Sequence, residues 1–229
     1  MCGRFTLTTS SAELAEHFDL AETPQLAPRY NVAPAQEVAA VRVLVQGKGR
    51  EVQMLHWGLI PSWAKDPKVG YRMINARCET VETKPSYRAA YRRRRCLVLA
   101  DGFYEWQKQG RTKQPYLIRL AAGGPFGIAG LWERWKDPDG ETVESCTLLT
   151  CEANELVAKI HDRMPVILHP DDHELWLDPE MQDPERLKPL LRPCPADMLE
   201  LVPVSAWVNN PRNDDPRCLE PSGENLSLF

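Results

Sequence analysis

The sequence predicts an α+β fold. It reads as a single domain over residues 1–229, with a core from about 2 to 221 and a short C-terminal tail. The expected centre is a strongly curved, mostly antiparallel, barrel-like β-sheet with short peripheral helices. Three observations carry this. Apolar and alternating runs of strand length recur without a regular strand–helix alternation. The helical stretches between them are short and bounded by proline. And 43% of the 229 residues are hydrophobic, ample for a core, with no internal repeat or low-complexity tract.

The elements follow in order. "SSAELAEHF" predicts a short helix with Ser10 or Ser11 as N-cap and Glu13 in the first turn. "TPQLAPRYNVAPAQ" is punctuated by proline and reads as an ordered loop. "EVAAVRVLVQ" and "REVQMLHWGL" flank "GKG" and predict a hairpin. "IPSWAKDPKVGYRMINARCET" has too many Pro and Gly for regular structure throughout, and a loop of that length is functional or disordered. Its Trp63, Tyr71 and Ile74 argue for order. "PSYRAAYRRRR" predicts a helix, and "CLVLADGFYEW" a buried strand ending in a turn. "QPYLIRLA", "FGIAGLW" and "SCTLLTCEA" read as further strands. "ANELVAKIH" reads as helix, "PDDHELWLD" and "DPERLKPLLR" as short surface helices, and "LELVPVS" as a last strand.

Composition narrows the classes. No run of eighteen apolar residues marks a membrane span, and the N-terminus lacks a secretory pattern. The seven cysteines are odd in number and form no C-x-x-C, which fits a reducing compartment, cytoplasmic or nuclear, and no disulfide framework. Cys146 and Cys151 followed by His169 and His173 have a zinc-like spacing. In a strand, however, residues five apart face opposite ways, so no metal or other cofactor is expected. The net charge of −4 argues against a general duplex-DNA binder. Residues 61–119 hold fourteen Lys and Arg against five Asp and Glu, a net of +9, which leaves −13 for the rest. That asymmetry predicts a phosphate-facing surface on an acidic body. The four arginines of "YRRRRC" taken alone fit a solvated helix face.

Four places carry polar residues that a plain core would not need. "MCGRF" puts Cys2 behind only an initiator methionine. Trimming Met1 would give Cys2 both an α-amine and a thiol. "INARCET" sets Asn75 and Arg77 on one side of extended backbone. "DGFYEW" holds Glu105 among aromatics, where desolvation would raise its pKa and suit proton transfer. "IHDRMP" places His161 at a helix end with Arg163 beyond.

Thiol plus histidine is a peptidase pair, but a peptidase gains nothing from a nucleophile that comes first in the chain. The terminal amine does. Its reference pKa of roughly 7.7–8.0, against about 10.4 for lysine, leaves it a few hundred times more available at neutral pH. It attacks an aldehyde to give an imine, and the neighbouring thiol then closes a five-membered thiazolidine at high effective concentration. An abasic deoxyribose offers such an aldehyde at C1′, between two phosphates. Arg4, Arg77 and Arg163 are candidates for those phosphates, and Trp63 for stacking on a neighbouring base. A single strand gives the terminus direct access.

In order along the chain, "MCGRF", "RYNVAPAQ", "WGLIPSWAKD", "INARCETVETKPSYR", "CLVLADGFYEW", "KQPYLI", "IHDRMPVIL" and "VNNPRNDDPRCLEP" resemble the SOS-response-associated peptidase (SRAP) family over residues 2 to about 221. The resemblance implies a protein that crosslinks to abasic sites in single-stranded DNA through its N-terminal cysteine. It also implies self-removal of Met1 and a weak lyase activity. It makes Cys2 the nucleophile, Asn75 the amide at the sugar, Glu105 the acid–base group and His161 the aid to ring opening. Asn31 falls in the active-site network, and Arg4, Trp63, Arg77 and Arg163 at DNA-contacting positions. The expected state is a monomer associated with DNA. The rival readings are a cysteine peptidase acting in trans and a non-catalytic single-strand-binding module.

Overall fold

The computed structural model describes residues 2–43, 49–137 and 139–222. Thirteen strands are described. They are β1 (Phe5–Leu7), β2 (Arg29–Val32), β3 (Glu37–Val43), β4 (Arg50–Trp57), β5 (Asn75–Arg77), β6 (Arg95–Ala100) and β7 (Gly102–Gln109), followed by β8 (Thr112–Leu120), β9 (Phe126–Lys136), β10 (Thr142–Glu152), β11 (Arg163–Pro165), β12 (Ile167–Leu168) and β13 (Leu199–Pro203). The short helices are α1 (Ser11–His17), α2 (Arg88–Arg93), α3 (His173–Leu177) and α4 (Pro184–Leu187).

The strands form two sheets. In the larger, β10, β4, β3, β6 and β9 pair in turn and β9 pairs back to β10, which closes a five-stranded barrel. Every pairing round that ring is antiparallel except β10 with β4, where Ser145 and Cys146 lie beside His56 and Trp57. Beyond that junction β10 takes β5 as a parallel neighbour, with Asn75 beside Leu148. β11 and β12 extend the sheet along β10 and β9. The smaller sheet is antiparallel, in the order β13-β8-β7-β1-β2. Its inner face joins the main core, where Phe5 meets Trp57 with ring centroids 5.1 Å apart. Each such fully buried large side chain contributes about 1.5–3 kcal/mol. Its outer face carries Tyr104 and Leu117 under the C-terminal segment, packed with Val204, Val208 and Cys218.

The α+β, barrel-like expectation holds, and several local readings change. α1 begins as expected, with Ser10 and Glu13 forming a reciprocal capping box. β3 and β4 pair as the predicted hairpin, whose connection falls largely outside the described residues. The proline-flanked "RYNV" is not loop but strand β2. Its free edge is capped by the Asp214 carboxylate, which accepts the N–H groups of Tyr30 and Asn31 (2.6 and 2.9 Å).

"CLVLADGFYEW" is two strands rather than one. The chain leaves the barrel at Ala100 and enters the small sheet at Gly102. A Cβ on Gly102 would lie 2.6 Å from Leu117 Cδ1. Asp101, at the crossing, accepts hydrogen bonds from Thr8 and Thr9. "ANELVAKIH" shortens to a 3₁₀ turn over Val157–Lys159. The Ala153 N–H donates to Asp162 O (3.0 Å), so the ends of the segment meet and no length remains for a helix.

Of the three residues expected to order the long loop, Ile74 packs against the core and the other two do not. Trp63 and Tyr71 are 64% and 66% exposed. Backbone closes the loop instead. Gly58, at φ +144, and Gly70 approach so closely that a Cβ on either would meet the other's carbonyl oxygen below 3 Å. Trp135 Nε1 donates to Ala64 O (2.7 Å), and Ile60 N–H to Ser145 Oγ (2.8 Å), fixing the loop to the barrel.

Candidate active site at the start of the chain

β1 is the strand that sets Cys2 in place. It pairs with β7 through Phe5–Phe103 and Thr6–Gly102, and Tyr104 N–H donates to Arg4 O (2.9 Å). Continued by two residues, that antiparallel register lays the chain start alongside Glu105. Side chains alternate along β7. Tyr104 goes to the outer core, while Phe103 and Glu105 turn inward toward the barrel. Glu105 is 4% exposed and Cys2 wholly buried.

Asn75 joins them from the other sheet. β5 alternates, with Ala76 in the core and Asn75 and Arg77 on the opposite side. Asn75 Nδ2 donates to the carbonyl oxygen of Cys2 at 2.7 Å. Its Oδ1 is buried without a hydrogen-bond partner among the described residues. The turn bearing His161 lies over the same part of β7. Gln107, two residues beyond Glu105, donates to Lys159 O (3.4 Å), and the charge of Asp162 acts on the Glu105 carboxyl.

Burial sets the protonation states. It pushes the Glu105 carboxyl up to about 7. It also pushes the Cys2 thiol up to about 12, with the Glu105 charge adding to the rise, so the group is a thiol at neutral pH. Burial lowers the His161 pKa, opposed by Asp162. His161 Nδ1 accepts the Arg163 N–H (3.0 Å) and faces Asp162 Oδ1 at 2.9 Å. Nδ1 thus lies between a donor and an acceptor, the Arg163 N–H and the Asp162 carboxylate.

The remaining expected residues divide. Asn31 is fully buried. Its Nδ2 donates to Val208 O, Asn210 O and Asn213 O, and its Oδ1 accepts from Arg4 Nη1 (2.7 Å). Arg4 also donates to Val208 O and lies 5.6 Å from the Trp106 ring centroid. Arg163 makes a two-pronged pair with Glu79 (2.6 and 3.0 Å) and donates to Thr150 O. Trp63 and Arg77 are exposed. Sequence reading passed over Glu79, whose partner Arg163 comes from a distant strand.

Among the described residues no group of three or more His, Cys, Asp or Glu could hold a metal ion. Cys146 and Cys151 are buried on β10. A cleft of about 770 Å³ lies elsewhere, between Leu120, Phe126, Leu190 and Met198, and Cys2, Asn75, Glu105 and His161 do not line it.

A family model described as SOS response associated peptidase (SRAP) matches residues 1–211. The chain is 43% identical to the abasic site processing protein YoqW of Bacillus subtilis, covering 96% of this chain and 99% of that protein. It is 31% identical to the abasic site processing protein YedK of Escherichia coli, with 96% and 100% covered. Its identity to the abasic site processing protein HMCES of Gallus gallus is 38%, over 85% of this chain and 66% of that one. Among solved structures, a protein from Bacteroides thetaiotaomicron superposes with a TM-score of 0.85 at 27% identity, covering 96% of this chain and 100% of that one.

Proposed function

This chain belongs to the SOS response associated peptidase (SRAP) family, and from that premise we propose that it captures abasic sites in single-stranded DNA as a covalent crosslink to Cys2. The observation that carries this reading is the meeting at the chain start. Asn75, from one sheet, holds the Cys2 carbonyl, while a carboxyl near 7 stands beside Cys2 on the other.

After Met1 is removed, the Cys2 amine attacks the C1′ aldehyde. Glu105, able to hold or release a proton near neutral pH, carries protons as the carbinolamine loses water to the imine. His161 donates to the sugar oxygen as the ring opens, and Asn75 orients the sugar. The Cys2 thiol then adds across the C=N bond. Sulfur bonds to C1′, the thiol proton ends on nitrogen, and a thiazolidine closes. That product lacks the imine needed for β-elimination, so the lesion is shielded. Self-removal of Met1 and weak strand cleavage at the lesion belong to the same proposal. The partner is single-stranded DNA carrying an abasic site, bound by a monomer. No helix among the described residues is long and apolar enough to cross a membrane.

A cysteine peptidase acting in trans is the rival. Cleavage of an added peptide by the Met1-trimmed protein, dependent on Cys2 and His161, would support it. Intact-mass spectrometry with abasic single-stranded DNA tests the proposal. The expected result is loss of Met1 and a mass gain of one strand less one water. A protein that loses Met1 and gains no mass refutes it.

A further inference from the structure

α2 and the turns before it form a second basic feature, apart from the chain-start site. Arg88, Arg92, Arg93 and Arg94 line a cleft of about 560 Å³ with Glu82 and Thr83. The arginine run does not behave as one solvated face. Arg95 is buried, its guanidinium donating to the carbonyls of Trp176, Tyr91, Arg92, Asp178 and Met181. Arg94 pairs with Glu133 and keeps a buried Nε without a partner among the described residues. Arg93 donates to Gln182.

Arg88 and Arg92 sit four apart on one face of α2, both exposed and in no ion pair among the described residues. Like charges at that spacing oppose helix formation. α2 has no acid in its first turn and no side-chain cap to offset this. The charge is therefore poorly explained by the helix itself, and it lines a concavity.

A short run of chain joins the cleft to the exposed Arg77. From Arg77 the chain runs through two successive tight turns, Thr80 N–H to Arg77 O and Thr83 N–H to Thr80 O (3.2 Å each). Each turn keeps its ends within about 7 Å, so Thr83 on the cleft wall lies within about 14 Å of Arg77. With the two extended residues back to Asn75, about 7 Å more, the path from the lesion to the cleft is on the order of 20 Å, about three nucleotides of a drawn-out single strand.

We propose that this cleft binds backbone phosphates of the same DNA strand, three or more nucleotides from the lesion. The inference rests on the functional reading above and adds a binding site to it.

The test compares a 5-mer and a 15-mer, each with a central tetrahydrofuran residue that cannot form an aldehyde. Binding of wild type and of the Arg88→Gln/Arg92→Gln double variant is followed against salt. On the 15-mer the variant should bind on the order of tenfold more weakly at 0.1 M salt, with a salt slope shallower by about 1.4. On the 5-mer the two proteins should match. Equal loss on both lengths, or no loss on the 15-mer, overturns the site. In parallel, both proteins are offered an aldehyde-bearing 5-mer. Wild type that takes up none, yet keeps the length-dependent difference, upholds the cleft and overturns only the capture chemistry.

Discussion

The residues offered for chemistry and those offered for DNA contact are held by opposite means. Cys2, Asn75, Glu105 and His161 come from four separate segments and are buried or half-buried. Strand register and single hydrogen bonds to backbone bring them together. Desolvation is what lifts Glu105 toward neutral pH, so the chemistry requires burial. A phosphate or a base requires exposure, and of the four residues offered for contact near the lesion Trp63 and Arg77 have it fully. Arg4 and Arg163 stand between. Both guanidiniums are already occupied, by Asn31 and Val208 in one case and by Glu79 and Thr150 in the other. Arg163 also supplies the N–H that fixes the His161 ring. The comparison teaches that a charged residue near a site can serve it by holding its walls.

That division can be broken at either side. The largest effect belongs to Cys2→Ala, which should leave no DNA adduct that survives denaturant on a gel. Next is Glu105→Gln, with an expected fall of about 10²–10⁴-fold in single-turnover capture rate. The same variant reports on stability. With the carboxyl at about 7 when folded and about 4.3 when unfolded, the folded chain binds the proton more tightly. The stabilisation is complete below about pH 4.3 and is lost as pH rises to about 7, on the order of 3 kcal/mol in all. Urea unfolding at pH 5 and 8 should show this fall in wild type and not in the variant.

Asn31→Ala removes four side-chain hydrogen bonds of a buried residue and should cost about 3 kcal/mol in the same assay, with Arg4 losing its fixed position. Trp63→Ala should weaken binding of an unreactive abasic strand by about 1–3 kcal/mol and leave stability unchanged. The smallest effect sharpens the contrast most. Arg77→Gln should make the salt slope of binding shallower by about 0.7 with no change in melting temperature. Arg163→Gln should lower the melting temperature. Equal behaviour of the two would erase the distinction between contact and wall.

Much of the site was legible because its signals are local. Cysteine directly after Met1, a carboxylate within "FYEW" and an amide–arginine pair two apart are each unusual within five residues of chain. What stayed hidden involves partners far apart in sequence. Arg163 and Glu79 are 84 residues apart, and the Asp214 that caps β2 is 183 residues from Asn31. "RYNV" looked like loop because prolines flank it. An edge strand tolerates them when a side chain satisfies its backbone. The 96–106 run looked like one strand because both halves are apolar. Only at Asp101–Gly102, where the chain changes sheets, does the break appear.

The amino-acid order alone determined the strand-rich mixed fold, the capped first helix, the basic middle stretch and the reactive candidate at the front. These follow from periodicity, capping and composition, which act over a few residues. The tertiary structure decided how the barrel closes through β10, which face of β7 carries Glu105, and which arginines are committed to carbonyls or carboxylates and which face water. Pairing register and desolvation depend on segments that meet only once the chain has folded, and no window of sequence contains both halves of such a contact.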